Sequence, residues 1–163
     1  SIFKNDWLII NDRNSYYTVE PLTPQVAIFV EVKGKGVLMV KVKRPVLNES
    51  TWELPAGGCE YGESTLYAAQ RELLEETGVR VEVNRMSEID SLILCPNRFP
   101  VAPTIFKVCI TEQEYRSRQS HDSEISEIAV FSLEKVKKMI LNNEIKVALP
   151  SVILARYLLT NSL

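Results

Sequence analysis

The chain has 163 residues, a net charge of −2, 45% hydrophobic and 25% charged residues, the balance of one globular domain with length enough for a full core. Such a balance offers no basic face for nucleic acid, and the longest apolar runs, "VAIFV" and "WLII", are far too short to span a bilayer. The first residues lack the basic start and long apolar centre of a signal peptide. Cys59, Cys95 and Cys109 form no C-x-x-C pair and read as reduced thiols of a cytoplasmic protein, Cys59 as a small packed side chain rather than a reactive one.

Residues 1–24 read as an N-terminal extension of irregular chain or short strands, "WLIIND" and "SYYTVE", with the turn-prone "NDRNS" between them. It is expected to pack on the main domain or on a neighbouring subunit of a homodimer. The main domain, 25–163, opens with "VAIFVEV" and "VLMVKV", two β-rich runs joined as a hairpin by "KGKG". A loop, "KRPVLNEST", leads to the short "WELP", followed by a glycine-rich bend. The next helix starts near Ser64 and runs to Thr77. Gly78 is placed for the left-handed position after its last turn, Val79 packs back, and Leu66, Leu73 and Leu74 turn to the core. "EIDSLIL", "TIFKVCI" and "EIAVF" are further strand candidates. "SLEKVKKMILNN" reads as an amphipathic helix capped by Ser132, with Leu133, Val136, Ile140 and Leu141 on one face. "PSVILARYLL" is a more apolar, better buried helix with Pro150 at its start. Strands interspersed with few helices give a mixed sheet covered by helices, an α+β arrangement.

The helix after the glycine bend carries Glu72, Glu75 and Glu76 at i, i+3 and i+4. Like charges one turn apart oppose a helix that gains nothing from them. Three carboxylates in one turn are hard oxygen donors suited to Mg²⁺ or Mn²⁺, and Mg²⁺ takes few protein carboxylates and completes its shell with water and phosphate oxygens. At Gly57 and Gly58 the backbone can approach a ligand closely, and the Ala56 carbonyl is a candidate further oxygen ligand. The plainer reading is a solvated acidic face, with Arg71 pairing to a nearby Glu.

Gly57, Glu63, Arg71-Glu72-Leu73, Glu75-Glu76 and Gly78-Val79, at their separations, resemble the signature of the Nudix hydrolases at every defined position. That resemblance implies an α/β/α sandwich and the hydrolysis, assisted by divalent cations, of a nucleoside diphosphate linked to another moiety. It implies Glu72 and Glu76 as principal metal ligands, Glu75 as ligand for a further ion, the Ala56 backbone oxygen as another, and a structural ion pair between Glu63 and Arg71. The general base comes in several members from a loop beyond the signature. Here that loop is "SRQSHDSEISE", where Glu124 is the first choice, Asp122 and Glu127 stand behind it, and His121, the single histidine, reads as solvated. "WELPAGG" and "VKVKRP" look like the branch that cleaves ADP-ribose and related nucleotide sugars, and Arg44 matches an arginine that reaches phosphate there. "CPNRFPVAP" and Gln25 depart from that branch, so nucleoside triphosphates and dinucleoside polyphosphates stay open as substrates. Trp7, Tyr16 and Tyr17 read as packing or as a stacking surface for a base. A non-catalytic sensing domain would be expected to have lost signature carboxylates, and all are present.

Overall fold

The computed structural model describes residues 1–160. The extension is a three-stranded antiparallel sheet of β1 (Phe3–Lys4), β2 (Leu8–Arg13) and β3 (Tyr16–Pro21). Asn14 and Ser15, both at positive φ, make the tight turn between β2 and β3, and Asp12 Oδ1 accepts the Ser15 N–H at 2.9 Å. The sheet is tied to its own chain: the Val19 N–H donates to the Arg98 carbonyl at 2.7 Å, and Arg98 Nη1 to the Tyr17 carbonyl at 3.3 Å.

The main sheet holds β4 (Gln25–Val32), β5 (Gly36–Arg44), β6 (Glu49–Glu53), β7 (Ala56–Gly58), β8 (Ser87–Ile89), β9 (Thr104–Ile110) and β10 (Ile125–Phe131). Its main path runs β10-β5-β4-β9-β8, with β6 paired to β5 and β7 to β4. The central β4–β9 pair is parallel and the other pairs are antiparallel. The β4–β5 turn is the expected "KGKG" hairpin, with Gly34 at φ +71°. Period-2 alternation divides the core between the faces. Val26, Ile28, Val30, Val32, Leu38, Val40 and Val42 pack under α1 (Thr65–Thr77) with Ala68, Ala69 and Leu73. Phe29, Val37, Met39 and Ile105 pack on the other face against α3 (Leu133–Leu141) and α4 (Ala148–Thr160) through Val136, Met139, Ile153, Leu154 and Tyr157. This is the expected mixed sheet between helical layers. Among the described residues no helix is long and apolar enough to cross a membrane.

Several details correct the sequence reading. "EIDSLIL" is a strand only to Ile89, because the β8–β9 register next brings Ser91 opposite Pro103, which has no N–H to donate. Gly57 and Gly58 lie in the short strand β7 rather than in a bend, and the turn follows at Tyr61 and Gly62. β6 begins at Glu49, earlier than "WELP", after a 3₁₀ turn at Pro45–Leu47. A short helix, α2 (Glu112–Arg116), enters on a capping box between Thr111 and Glu114 that the sequence reading passed over. On α3 the buried pair is Val136 and Met139, and Leu141 in the last turn is 74% exposed. α4 starts two residues ahead of Pro150, which sits in the first turn where its missing N–H costs nothing.

Candidate active site

α1 is bounded as its local chemistry requires. Ser64 Oγ accepts the Tyr67 N–H at the start, and Gly78, at φ +70°, donates to the Leu74 carbonyl at 2.8 Å at the end. Any Cβ at Gly78 would overlap the Gln119 carbonyl. That close approach lets the loop before β10 lie along the end of the helix: the Gln119 N–H donates to Gly78 O at 2.8 Å and the Asp122 N–H to Glu75 O at 2.7 Å.

Arg71 is the hub of the segment. Its Nε and Nη2 fork onto Glu63 at 3.1 and 2.8 Å, and Nη2 also donates to the Gly58 carbonyl at 2.8 Å, fastening helix to strand. Nη1 donates to Glu72 at 2.8 Å and to Glu75 at 3.0 Å. The guanidinium holds the Glu63 carboxyl below its ordinary range. Glu75 is exposed beyond it.

Glu72 and Glu76 stand one turn apart on the edge facing β7. The Glu72 carboxylate lies where a Cβ at Gly57 would be, so only glycine leaves that groove open. Burial raises the Glu72 carboxyl against the opposing bond from Arg71. Glu76 accepts the Ala56 N–H at 2.9 Å, and burial pushes its carboxyl up to about 8, with the Ala56 bond and the more distant Arg44 pulling the other way. Among the described residues no three His, Cys, Asp or Glu side chains converge as a metal cage. The donor set nonetheless fits a divalent cation: Glu72 lies in a cradle that a Cβ would fill, and Glu76 is a half-buried carboxylate with no cationic hydrogen-bond partner among the described residues.

The remaining candidates separate. Arg44, at the end of β5, forks through Nε and Nη2 onto Glu53 at 2.8 Å each, and Thr51 Oγ1 donates to the same carboxylate. Its charge is felt at Glu76 and Glu124. Glu124 is exposed on the loop against α1, its carbonyl taking the Lys43 N–H at 3.2 Å. Asp122 Oδ1 is taken by the Glu124 N–H at 3.3 Å. Glu127 pairs with Lys41 at 3.5 Å, and Lys41 lies over the Trp52 ring on the face away from α1, which removes Glu127 as an alternative base. His121 is exposed, its Nδ1 2.9 Å from the Asp122 carbonyl oxygen. Burial pushes the Cys59 thiol up, as for a packed rather than a reactive cysteine.

A cleft of about 760 Å³ opens beside this edge. Arg44, Glu53, Ala56, Gly57 and Gly58 line one part of it, and Trp7, Leu8 and Val19 of the extension another; Leu94, Phe99 and Val101 come from the loop before β9. Trp7 is 76% exposed. Sequence reasoning missed Glu53, Thr51 and the Leu94–Val101 wall. Thr51 and Glu53 share a strand face by their spacing, but their pairing with Arg44 depends on the β5–β6 register; the wall depends on tertiary docking and leaves no local trace.

The model of the family described as NUDIX domain matches residues 21–151. Similar proteins include Phosphatase NudJ of Shigella boydii serotype 4 (strain Sb227), 29% identical over 115 residues, which is 71% of this chain and 72% of that protein. Phosphatase NudJ of Shigella sonnei (strain Ss046) has the same figures: 29% over 115 residues, 71% and 72%. Phosphatase NudJ of Escherichia coli (strain K12) is 28% identical over 113 residues, 69% of this chain and 71% of that protein.

Proposed function

This chain belongs to the Nudix family, and on that premise we propose that it hydrolyses the pyrophosphate bond of a nucleoside diphosphate derivative, ADP-ribose or a related nucleotide sugar foremost, with Mg²⁺ or Mn²⁺. The observation that carries the reading is the pair Glu72 and Glu76, two carboxylates raised by burial beside Gly57 at the mouth of a cleft.

In this reading Glu72, Glu76 and the Ala56 backbone oxygen hold the cation, and Glu75 serves a further one. Bound there, the metal neutralises diphosphate charge and lowers the pKa of a water. Arg44 meets a phosphate oxygen with the N–H groups that its fork onto Glu53 leaves over. Gly57 lets the substrate approach the backbone. Glu124 takes the proton of the attacking water. Glu63 and Arg71 keep helix and strand in register. The base lies against the apolar wall at Trp7 and Phe99, so the extension takes part in one site with the main domain.

The name of the similar proteins, phosphatase, favours a second reading, release of orthophosphate from a nucleotide. A panel of ADP-ribose, nucleotide sugars, nucleoside triphosphates and dinucleoside polyphosphates with Mg²⁺ decides. AMP and ribose phosphate as the fastest product pair support the first reading, and orthophosphate from triphosphates replaces it with the second. No metal-dependent turnover of any member overturns both.

A further inference from the structure

The chain contains the same three-residue device twice. In the extension, Arg13 of β2 forks onto Glu20 of β3 at 2.7 Å through both Nε and Nη2, and Thr18 Oγ1 donates to that carboxylate at 2.6 Å. In the main sheet, Arg44 of β5 forks onto Glu53 of β6, with Thr51 as third donor. The first fork lies on the face of β3 opposite Val19 and so away from the cleft, and the second lies on the cleft itself.

The register shows what the second fork does. Arg44 sits opposite Glu49, whereas Glu53 is opposite Val40 and Thr51 opposite Val42. Arg44 shares its strand face with Val40 and Val42, which pack under α1. An arginine at a strand end is free to extend into water. Here the side chain instead folds back along its own strand to reach an acid four positions down the ladder. Glu53 is buried, and its carboxylate is filled by two N–H donors and one hydroxyl, so it cannot follow a wandering guanidinium. The fork consumes Nε and one hydrogen of Nη2. Nη1 has no acceptor among the described residues, and it belongs to a guanidinium whose field reaches Glu76 and Glu124.

We propose that Glu53 and Thr51 are positioning residues that hold Arg44 with its Nη1 edge presented to a diphosphate oxygen in the cleft. The inference rests on the reading of that cleft as the diphosphate site. A pre-aimed guanidinium loses little rotamer freedom on binding, so its bond to phosphate is expressed as affinity and alignment.

Steady-state kinetics on ADP-ribose with saturating Mg²⁺ tests it in a cycle of Arg44→Ala, Glu53→Gln and the double variant. Glu53→Gln is expected to lower kcat/KM by about ten- to a hundredfold, the range of one charge-assisted bond. The double variant is expected to be no worse than Arg44→Ala, because Glu53 acts through Arg44. Thr51→Val weakens the same step by less, and serves where Glu53→Gln does not fold. Glu20→Gln, the matching change in the other fork, stays within about twofold of the parent chain in kcat/KM, because that fork lies on the face of β3 away from the cleft. Kinetics of Glu53→Gln equal to those of the parent, or losses that multiply in the double variant, overturn the proposal. Calorimetric binding of inorganic pyrophosphate reads the pair without turnover. A chain that hydrolyses nothing yet loses pyrophosphate affinity on Glu53→Gln keeps the positioning role and rejects the hydrolase. Equal affinities reject the positioning role.

Discussion

Glu20 on the extension and Glu76 on the edge of α1 are the same side chain withdrawn from water, and their surroundings drive them in opposite directions. Arg13, Thr18 and Asn11 all donate to Glu20 and hold its carboxyl down to about 2. Glu76 receives one backbone N–H, and burial pushes it up to about 8. A carboxylate filled with donors has no acceptor capacity left and works as architecture. A carboxylate buried with one donor is costly to keep charged, and a cation relieves that cost. Glu63, forked by Arg71, belongs with Glu20, although it lies in the same signature as Glu76.

The sharpest break between the two classes is mutational. Glu76→Gln or Glu72→Gln is expected to lower kcat by about 10³-fold or more, several kcal/mol of lost charge stabilisation. At neutral pH and without metal, Glu76→Gln is expected to melt no lower than the parent chain, because burial pushes that carboxyl up to about 8 and keeps it mostly protonated there, and the amide puts another neutral acceptor under the Ala56 N–H. Near-normal turnover, or a large fall in Tm, would place Glu76 among the architectural acids. Gly57→Ala comes next. The new Cβ overlaps the Glu72 carboxylate and displaces it by a side chain's width, and losses of about a hundredfold in kcat follow from misplacements of that order. Circular dichroism should show an unchanged fold. Turnover within twofold of the parent would mean that the cradle at Gly57 does not matter.

How far the sequence carried this division depends on the range of the forces involved. The limits of α1, the left-handed Gly78 and the β4–β5 hairpin follow from bonds closed within a few residues, and they were legible. The mixed sheet covered by helices was legible from the order of strands and helices, and the sandwich followed from the family resemblance, although Met139 displaced Leu141 from the buried face of α3. That Arg71 holds Glu72 and Glu75 as well as Glu63 could not be read, since one guanidinium has several acids within reach and the choice is made by tertiary placement. Arg44 was singled out, but its anchor Glu53 was not, because the pair forms only once β5 and β6 are in register. Glu127 stood behind Glu124 as a base on the same loop until the strand sent it to the other face of the sheet.

The extension divides in the same way. Its cleft side carries Trp7, Leu8 and Val19, and Trp7→Ala is expected to raise KM for a nucleotide substrate about tenfold with little change in kcat, within the ~1–3 kcal/mol of stacking a base on an aromatic ring. A KM unaffected by this change would leave the extension as packing alone.

Its other side gives the smallest effect. Glu20→Gln removes a carboxylate whose folded value, about 2, lies below its ordinary 4.5, so its contribution to stability is present above pH 4.5 and is lost as pH falls toward 2. The Tm difference between the parent chain and Glu20→Gln should therefore be largest at pH 6–7, shrink between pH 4.5 and 2, and close at the acid end. It should also be small throughout, because Arg13 is 60% exposed at its side chain and water solvates its charge once the partner is gone. Turnover and KM at neutral pH should match the parent, since the fork faces away from the cleft. A difference in Tm that persists unchanged to pH 2 would mean that Glu20 is held by shape and not by charge, and its opposition to Glu76 would then be one of packing rather than of proton affinity.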